Sequence, residues 1–310
     1  MVPRYTFVTV IYENDYSAMT LQSCTMYMFL PPDMVDSIII IDNSSDENLF
    51  NIDRVLPHYG SLDACVTVIR RRDLTPIDTA GWHVQQLLKL EVAKRISTER
   101  YVVLDAKNHL CYPVPSDFFE RPDGTLKTFL ENYTLHPMRK TLENVLSFWA
   151  LDPKLIAAYP PTHTPFCFDQ QEVLDMLSFI ERKGRPFPSV FLEEGLTEFF
   201  TYSGYLIKTG VRIDYQAIKT GGVWDTDSGD EDVRRQLRYN RASGFCWSSG
   251  RSAAFPKKSC RSRDLRDADE GCPMESARCA NASRAVDNLE VRTRPSQPRH
   301  CETTRKEPIR

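Results

Sequence analysis

The stretch with the densest chemistry is Leu104-Asp105-Ala106-Lys107-Asn108-His109. It follows Tyr101-Val102-Val103-Leu104, four aromatic and aliphatic residues of the kind that form a fully buried strand. In an open α/β sheet, ligands are held outside the carboxyl ends of the central strands. If the extended path continues past Asp105, the period of two puts Asp105, Lys107 and His109 on one face. A carboxylate, an ammonium and an imidazole then converge on the mouth of a crevice, which suits a phosphate-bearing ligand. The pattern alone is equally compatible with a strand running into an ordinary polar turn.

Other residues invite the same question. Asp42 ends a second apolar run, Ile38 to Ile41; placed over a sheet edge, a carboxylate or amide there can hydrogen-bond a nucleobase or a ribose hydroxyl. Taken by itself, Asp42-Asn43-Ser44-Ser45 is ordinary Asx-turn chemistry. Gln85 and Lys89 lie one helical turn apart and share a face, with Trp82 earlier on the same helix. They can reach a phosphate or sugar, although spacing alone describes an amphipathic helix with a solvated lysine. Glu198 precedes Phe199-Phe200, and a carboxylate beside buried aromatics has its pKa raised.

The elements that must position these residues are legible as periodicities. Thr6 to Tyr12, Val35 to Ile41, Val66 to Ile69 and Tyr101 to Asp105 read as buried strands. Residues 17–29 and 81–96 read as helices, the second with Val84, Leu88, Val92 and Ile96 repeating every four residues. The order strand, helix, strand, strand, helix, strand predicts an α/β fold with a doubly wound, mostly parallel sheet flanked by helices. Further on, helix is expected over 126–149, clearest at 141–146, and over 170–182 and 193–208, with a proline-rich irregular stretch at 153–164 between them.

Composition removes several classes. Of 310 residues, 41% are hydrophobic and 26% charged, with a net charge of −3; this gives no general pull toward nucleic acid or a membrane. The longest aliphatic run, Ile38 to Ile41, is far short of a bilayer span. The start turns polar at Glu13-Asn14-Asp15, so no signal peptide and a cytoplasmic location are expected. Walker A, G-x-G-x-x-G, G-x-S-x-G and H-E-x-x-H patterns are absent. Cys24, Cys65, Cys111 and Cys167 lack metal-binding spacing.

The average charge conceals a break. Residues 241–310 hold 15 of the 39 basic residues and 9 of the 42 acidic ones, a net +6, and five of the nine cysteines. No apolar face recurs there, so the stretch cannot offset its ordering entropy. The expected organisation is one α/β domain over 1–240 and a disordered basic tail over 241–310, whose composition fits a shifted reading frame after Gly244.

Asp42-Asn43-Ser44-Ser45-Asp46, following an isoleucine strand, resembles the first acidic motif of GT-A glycosyltransferases, and Val103 to Lys107 stands where their D-x-D motif stands. Leu104 to His109, with Gly81-Trp82, Gln85-Gln86 and Lys89-Leu90 before it and Thr164-Pro165-Phe166 and Glu198-Phe199-Phe200 after it, is similar to a less characterised bacterial group of GT-A-like proteins with an L-D-x-K-N-H motif. The resemblance covers roughly residues 5–215. It implies a GT-A-like fold and an enzyme of polysaccharide biosynthesis that transfers sugar from a nucleotide-diphosphate donor to a glycan or lipid-linked acceptor. The donor site it implies comprises Thr9, Tyr12, Asp42, Asn43, Trp82, Gln85, Gln86, Lys89, Asp105, Lys107 and Asn108. His163 and Thr164 are its acceptor contacts, and Glu198, Asp105 and Lys107 its catalytic residues, with Glu198 chosen over Glu193 and Glu194 as the base. The second Asp of D-x-D is Lys107 here. A protonated lysine cannot ligate a cation, but it can neutralise a diphosphate itself. The expectation is therefore little or no need for Mg²⁺ or Mn²⁺, with Asp105 and His109 as the only metal ligands on offer. Two alternatives stand beside this reading: a catalytically silent nucleotide-sugar-binding protein of the same fold, and a nucleotidyltransferase.

Overall fold

The computed structural model describes residues 3–44, 50–77, 81–182 and 184–215, together with the backbone of Gly221–Gly222 and Trp247–Ser249. The chain divides into two units, residues 1–256 and 257–310. The second lies outside the described residues, as does nearly all of the segment expected to be a disordered tail.

Four parallel strands and one antiparallel strand form the central sheet. These are β1 (Tyr5–Ile11), β2 (Val35–Asp42), β3 (Val66–Arg70), β4 (Arg100–Asp105) and the antiparallel β6 (Phe166–Asp169), in the order β3-β2-β1-β4-β6. A short β5 (Asn108–Leu110) pairs with β8 (Trp247–Ser249), which pairs in turn with β7 (Gly221–Gly222). All seven residues of β1 are buried, as expected for a central strand covered on both faces.

Alternation sorts the side chains onto two faces. Phe7 and Ile11 of β1, Ile38 and Ile40 of β2, and Val102 and Leu104 of β4 pack with Ala18, Met19 and Met26 of α1 (Tyr16–Phe29). Val8 and Val10, Ile39 and Ile41, and Tyr101 and Val103 pack on the other face. That second face is covered by α2 (Trp82–Glu91), α3 (Arg139–Trp149), α4 (Gln170–Glu181), α5 (Phe187–Glu193) and α6 (Glu198–Thr209). Asp169 starts α4 by accepting from the Glu172 N–H at 2.9 Å, which satisfies a donor the helix cannot. No helix among the described residues is long and apolar enough to cross a membrane.

The sequence reading is corrected in three places. The helix expected over 126–149 is confined to Arg139–Trp149. Residues 126–138 are instead held by a local bridge at Glu120–Leu126 and by bridges to distant chain at Lys127–Asp214 and Glu131–Tyr159, and Pro137 cannot sit inside a helix. The helix expected over 193–208 is two, α5 and α6, broken at Gly195, whose φ of 61° is left-handed, a conformation that favours glycine. The helix expected over 81–96 ends as α-helix at Glu91 and tightens to a 3₁₀ turn over Val92–Arg95.

Candidate functional site

In this strand order the chain reverses direction across the sheet between β1 and β4, the place where open α/β sheets bind ligands. Strand β1 ends at Ile11 and leads into Tyr12, and β4 ends at Asp105. Beyond Asp105 the extended path stops in a turn at Ala106–Lys107. Asn108 closes that turn, its Oδ1 accepting from the Asp105 N–H at 2.7 Å. From α1, Gln22 donates through Nε2 to the carbonyls of Asp105 at 2.8 Å and Asn108 at 3.1 Å, while its Oε1 accepts from the Thr9 hydroxyl at 2.9 Å. The turn abolishes the alignment expected of Asp105, Lys107 and His109. Lys107 is exposed, whereas His109 is buried with Nδ1 3.3 Å from the Lys107 carbonyl.

On the opposite face, α2 carries Lys89 into the core, where it is only 2% exposed. Its Nζ lies 2.9 Å from Asp105 Oδ1 and 3.0 Å from Glu198 Oε1, and 5.1 Å from the ring centre of Phe199. The solvated-lysine description of this helix is thereby excluded. The Thr164 hydroxyl takes the other Asp105 oxygen, Oδ2, at 3.2 Å. Burial lowers the Lys89 pKa, but the two carboxylates outweigh it and the ammonium is held more firmly than usual. Burial raises the Asp105 carboxyl and Lys89 more than reverses this, leaving it below its ordinary value. For Glu198 burial wins over Lys89 and the carboxyl is raised, as Phe199-Phe200 led one to expect. Exposure divides the two acids: the Asp105 side chain is 44% exposed and that of Glu198 1%. Asp105 is open to solvent; Glu198 is sealed behind Lys89.

Asp42 and Asp105 do not share a face. Asp42 is in register with Ile11 and Asp105 with Val10, and alternation sends those two rows to opposite sides of the sheet. Asp42 is buried and its Oδ1 accepts from the Ser44 N–H at 3.0 Å, the Asx-turn geometry. The two carboxylates named for the donor site thus leave the sheet on opposite faces. The neighbour that does lie near β1's end is Asn43, whose N–H donates to the Ile11 carbonyl and whose Oδ1 accepts from Arg71 at 3.3 Å. Tyr12 donates its hydroxyl to the Gly81 carbonyl at 2.9 Å, with Asn43 and Lys89 close enough to act on its titration. At the start of α2, Trp82 is 50% exposed, Gln85 half-buried and Gln86 buried.

Four residues that sequence reasoning passed over belong to the site. Gln22 shares the buried face of α1 with Ala18, Met19 and Met26, and a glutamine on an apolar stripe was the available signal. Asp15, before α1, accepts from the Tyr12 N–H at 2.9 Å; its carboxyl is raised by burial and by Asp105, and lowered by that bond and by Lys107. Arg71, directly after β3, donates to Asn43 Oδ1. Glu131 faces His163, with Oε1 3.7 Å from Nδ1, and nothing local in the sequence marks that pair.

The donor set does not fit a hard divalent cation, which takes oxygen ligands. One Asp105 oxygen is occupied by an ammonium, Lys107 brings another positive charge, and His109 is turned to a backbone carbonyl. Among the described residues no cluster of three or more histidine, cysteine or acidic side chains is placed to hold a metal.

A family model described as a family of unknown function, DUF6492, matches residues 10–261. The chain belongs to DUF6492. The match runs past residue 240, where the sequence reading placed the domain boundary. No curated protein matches the sequence. Among solved structures, the chain is similar to the galactosyltransferase LgtC in complex with donor and acceptor sugar analogs, at 10% identity and a TM-score of 0.49, over 79% of this chain and 86% of that one. An active-site mutant of LgtC gives 10% identity and 0.49 over 87% and 98%. The bifunctional glycosyltransferase WbbM, in its apo form, gives 11% and 0.44 over 80% and 46%.

Proposed function

We propose that this DUF6492 chain is a glycosyltransferase that binds a nucleotide-diphosphate sugar at the carboxyl ends of β1 and β4 and passes the sugar to a glycan or lipid-linked acceptor. The observation that carries the reading is the half-exposed Asp105 at that switch point. It is fixed by Lys89 and Thr164 from two sides, with exposed Lys107 beside it. A carboxylate held in one orientation suits hydroxyls of a donor ribose or sugar, because the geometry is set before the ligand arrives. Lys107 supplies the mobile positive charge that a departing diphosphate requires. Lys89 does not share that task, since both its neighbours are carboxylates. It positions Asp105. The nucleoside end falls to Tyr12 and Asn43 rather than to Asp42, with Trp82 and Gln85 on the rim of α2.

This reading makes the reaction independent of a divalent cation. Donor hydrolysis should persist in excess chelator and fall when Lys107 is replaced by alanine. Complete loss in chelator, restored by Mn²⁺ alone, would refute it. A second reading, a protein that holds a sugar nucleotide without turning it over, is favoured by one observation: Glu198, the carboxylate expected to deprotonate the acceptor, is sealed against Lys89. Binding without hydrolysis or transfer across UDP-, GDP-, CMP- and dTDP-sugars would establish that reading instead.

A further inference from the structure

With Glu198 sealed, the transfer proposed above lacks a group to take the acceptor proton, and another candidate stands beside Thr164. The loop that brings Thr164 to Asp105 places His163 one residue earlier. His163 Nδ1 faces Glu131 Oε1 at 3.7 Å, and both side chains are partly exposed, at 25% and 29%. Glu131 is anchored twice. Its backbone exchanges hydrogen bonds with Tyr159 at 2.9 and 3.0 Å, and the Tyr133 hydroxyl lies 2.8 Å from its Oε2 and 3.1 Å from the Pro160 carbonyl. Phe129 packs against the imidazole, with ring centres 5.4 Å apart. The charged and titratable groups that act on His163 are Glu131 and His136 from the 126–138 strip and Asp105 from β4.

We infer that His163 is the general base of the reaction and Glu131 the residue that positions it, an assignment that rests on the glycosyltransferase reading. An imidazole with Nδ1 turned to a carboxylate presents Nε2 to a substrate, and a fixed carboxylate stabilises the imidazolium that forms. Nε2 takes the proton of the acceptor hydroxyl, and the acceptor oxygen bonds to the anomeric carbon. The bond from that carbon to the diphosphate breaks, its electron pair leaves with the nucleoside diphosphate, and Lys107 meets the charge. Burial keeps His163 below its ordinary pKa, so the free base is present at neutral pH.

The test uses the full chain, UDP-, GDP- and dTDP-sugars as probes and water as acceptor. In the wild type, donor hydrolysis should fall as pH drops through the His163 midpoint, which NMR of its ring proton reads directly. His163→Gln should lower hydrolysis by roughly 10²-fold or more and remove that acid limb while leaving donor affinity intact. Glu131→Gln retains an acceptor for Tyr133, so it should preserve the fold yet move both the NMR midpoint and the acid limb to lower pH, because the carboxylate favours the charged ring. An unchanged midpoint in Glu131→Gln, or a wild-type rate and acid limb in His163→Gln, overturns the assignment alone. A wild type that binds and hydrolyses none of the donors overturns the donor site and this base with it.

Discussion

The two sides of one sheet edge are built from opposite materials. On the α1 face, the turn after β4 is held by neutral groups: Thr9, Gln22 and Asn108 exchange hydrogen bonds with one another and with the backbone of Asp105. On the α2 and α6 face, the same residue is held by charge, through a buried lysine shared with a second buried carboxylate. The neutral side is closed to solvent, with Thr9, Gln22 and Asn108 all buried. The charged side has two carboxylates against one ammonium, and its outer carboxylate is half-exposed. A charge open to solvent is what a ligand can use, so the proposed function places the ligand on the charged side and makes the neutral side its scaffold.

Removing Lys89 should break this contrast most severely. Lys89→Met leaves Glu198 buried without a counter-charge, and denaturant unfolding should show a loss of about 3–5 kcal/mol. Adding Glu198→Gln to that variant should recover much of the loss, since the stranded charge is then gone. A single and a double variant of equal stability would show that the cluster carries no electrostatic strain. On the neutral side, Gln22→Ala strands two backbone carbonyls and the Thr9 hydroxyl, and should cost about 1–3 kcal/mol. That loss should be insensitive to salt, unlike any contribution of exposed Lys107.

The pH dependence of stability sharpens the same division. Asp105 titrates below its ordinary value in the fold, so its contribution is present above the ordinary aspartate range and is lost as pH falls through the depressed value. Glu198 titrates above its ordinary value, so its contribution is present at low pH and is lost as pH rises through the raised one. Unfolding free energies measured across the acid range should therefore lose opposite slopes in Asp105→Asn and Glu198→Gln. The smallest effect is expected at Asp42. Asp42→Asn keeps an oxygen for the Ser44 N–H and should change stability by under about 1 kcal/mol, with donor affinity unaltered.

What was legible in the sequence follows from how local its cause is. Buried parallel strands appear as unbroken apolar runs, and Val84, Leu88, Val92 and Ile96 all lie in the core as their spacing requires. The α/β class followed from their order. Lys89 was visible as a candidate, but its burial depends on Glu198, 109 positions away, and no helical periodicity reports that. The opposite facing of Asp42 and Asp105 was hidden for a similar reason. Both strand ends were located correctly, yet their faces depend on the register of β2 and β4 against β1, and a one-residue offset reverses a side chain. Residues 126–138 misled because two of their backbone partners, Tyr159 and Asp214, are remote in the chain. Gly195, by contrast, offered a local stop signal between Leu192 and Thr197 that the apolar pattern of 193–208 masked.

The central claim is that the crevice at Asp105 and Lys107, and not the sheet edge at Asp42, receives a sugar nucleotide. Calorimetric titration of the full chain with UDP-, GDP-, CMP- and dTDP-sugars in the presence of chelator tests it directly. Saturable binding of one donor by the wild type and by Asp42→Asn, lost in Asp105→Asn while that variant still gives a cooperative unfolding transition above the assay temperature, is the predicted result. Failure of every donor to bind, or affinity that survives in Asp105→Asn but disappears in Asp42→Asn, would contradict it.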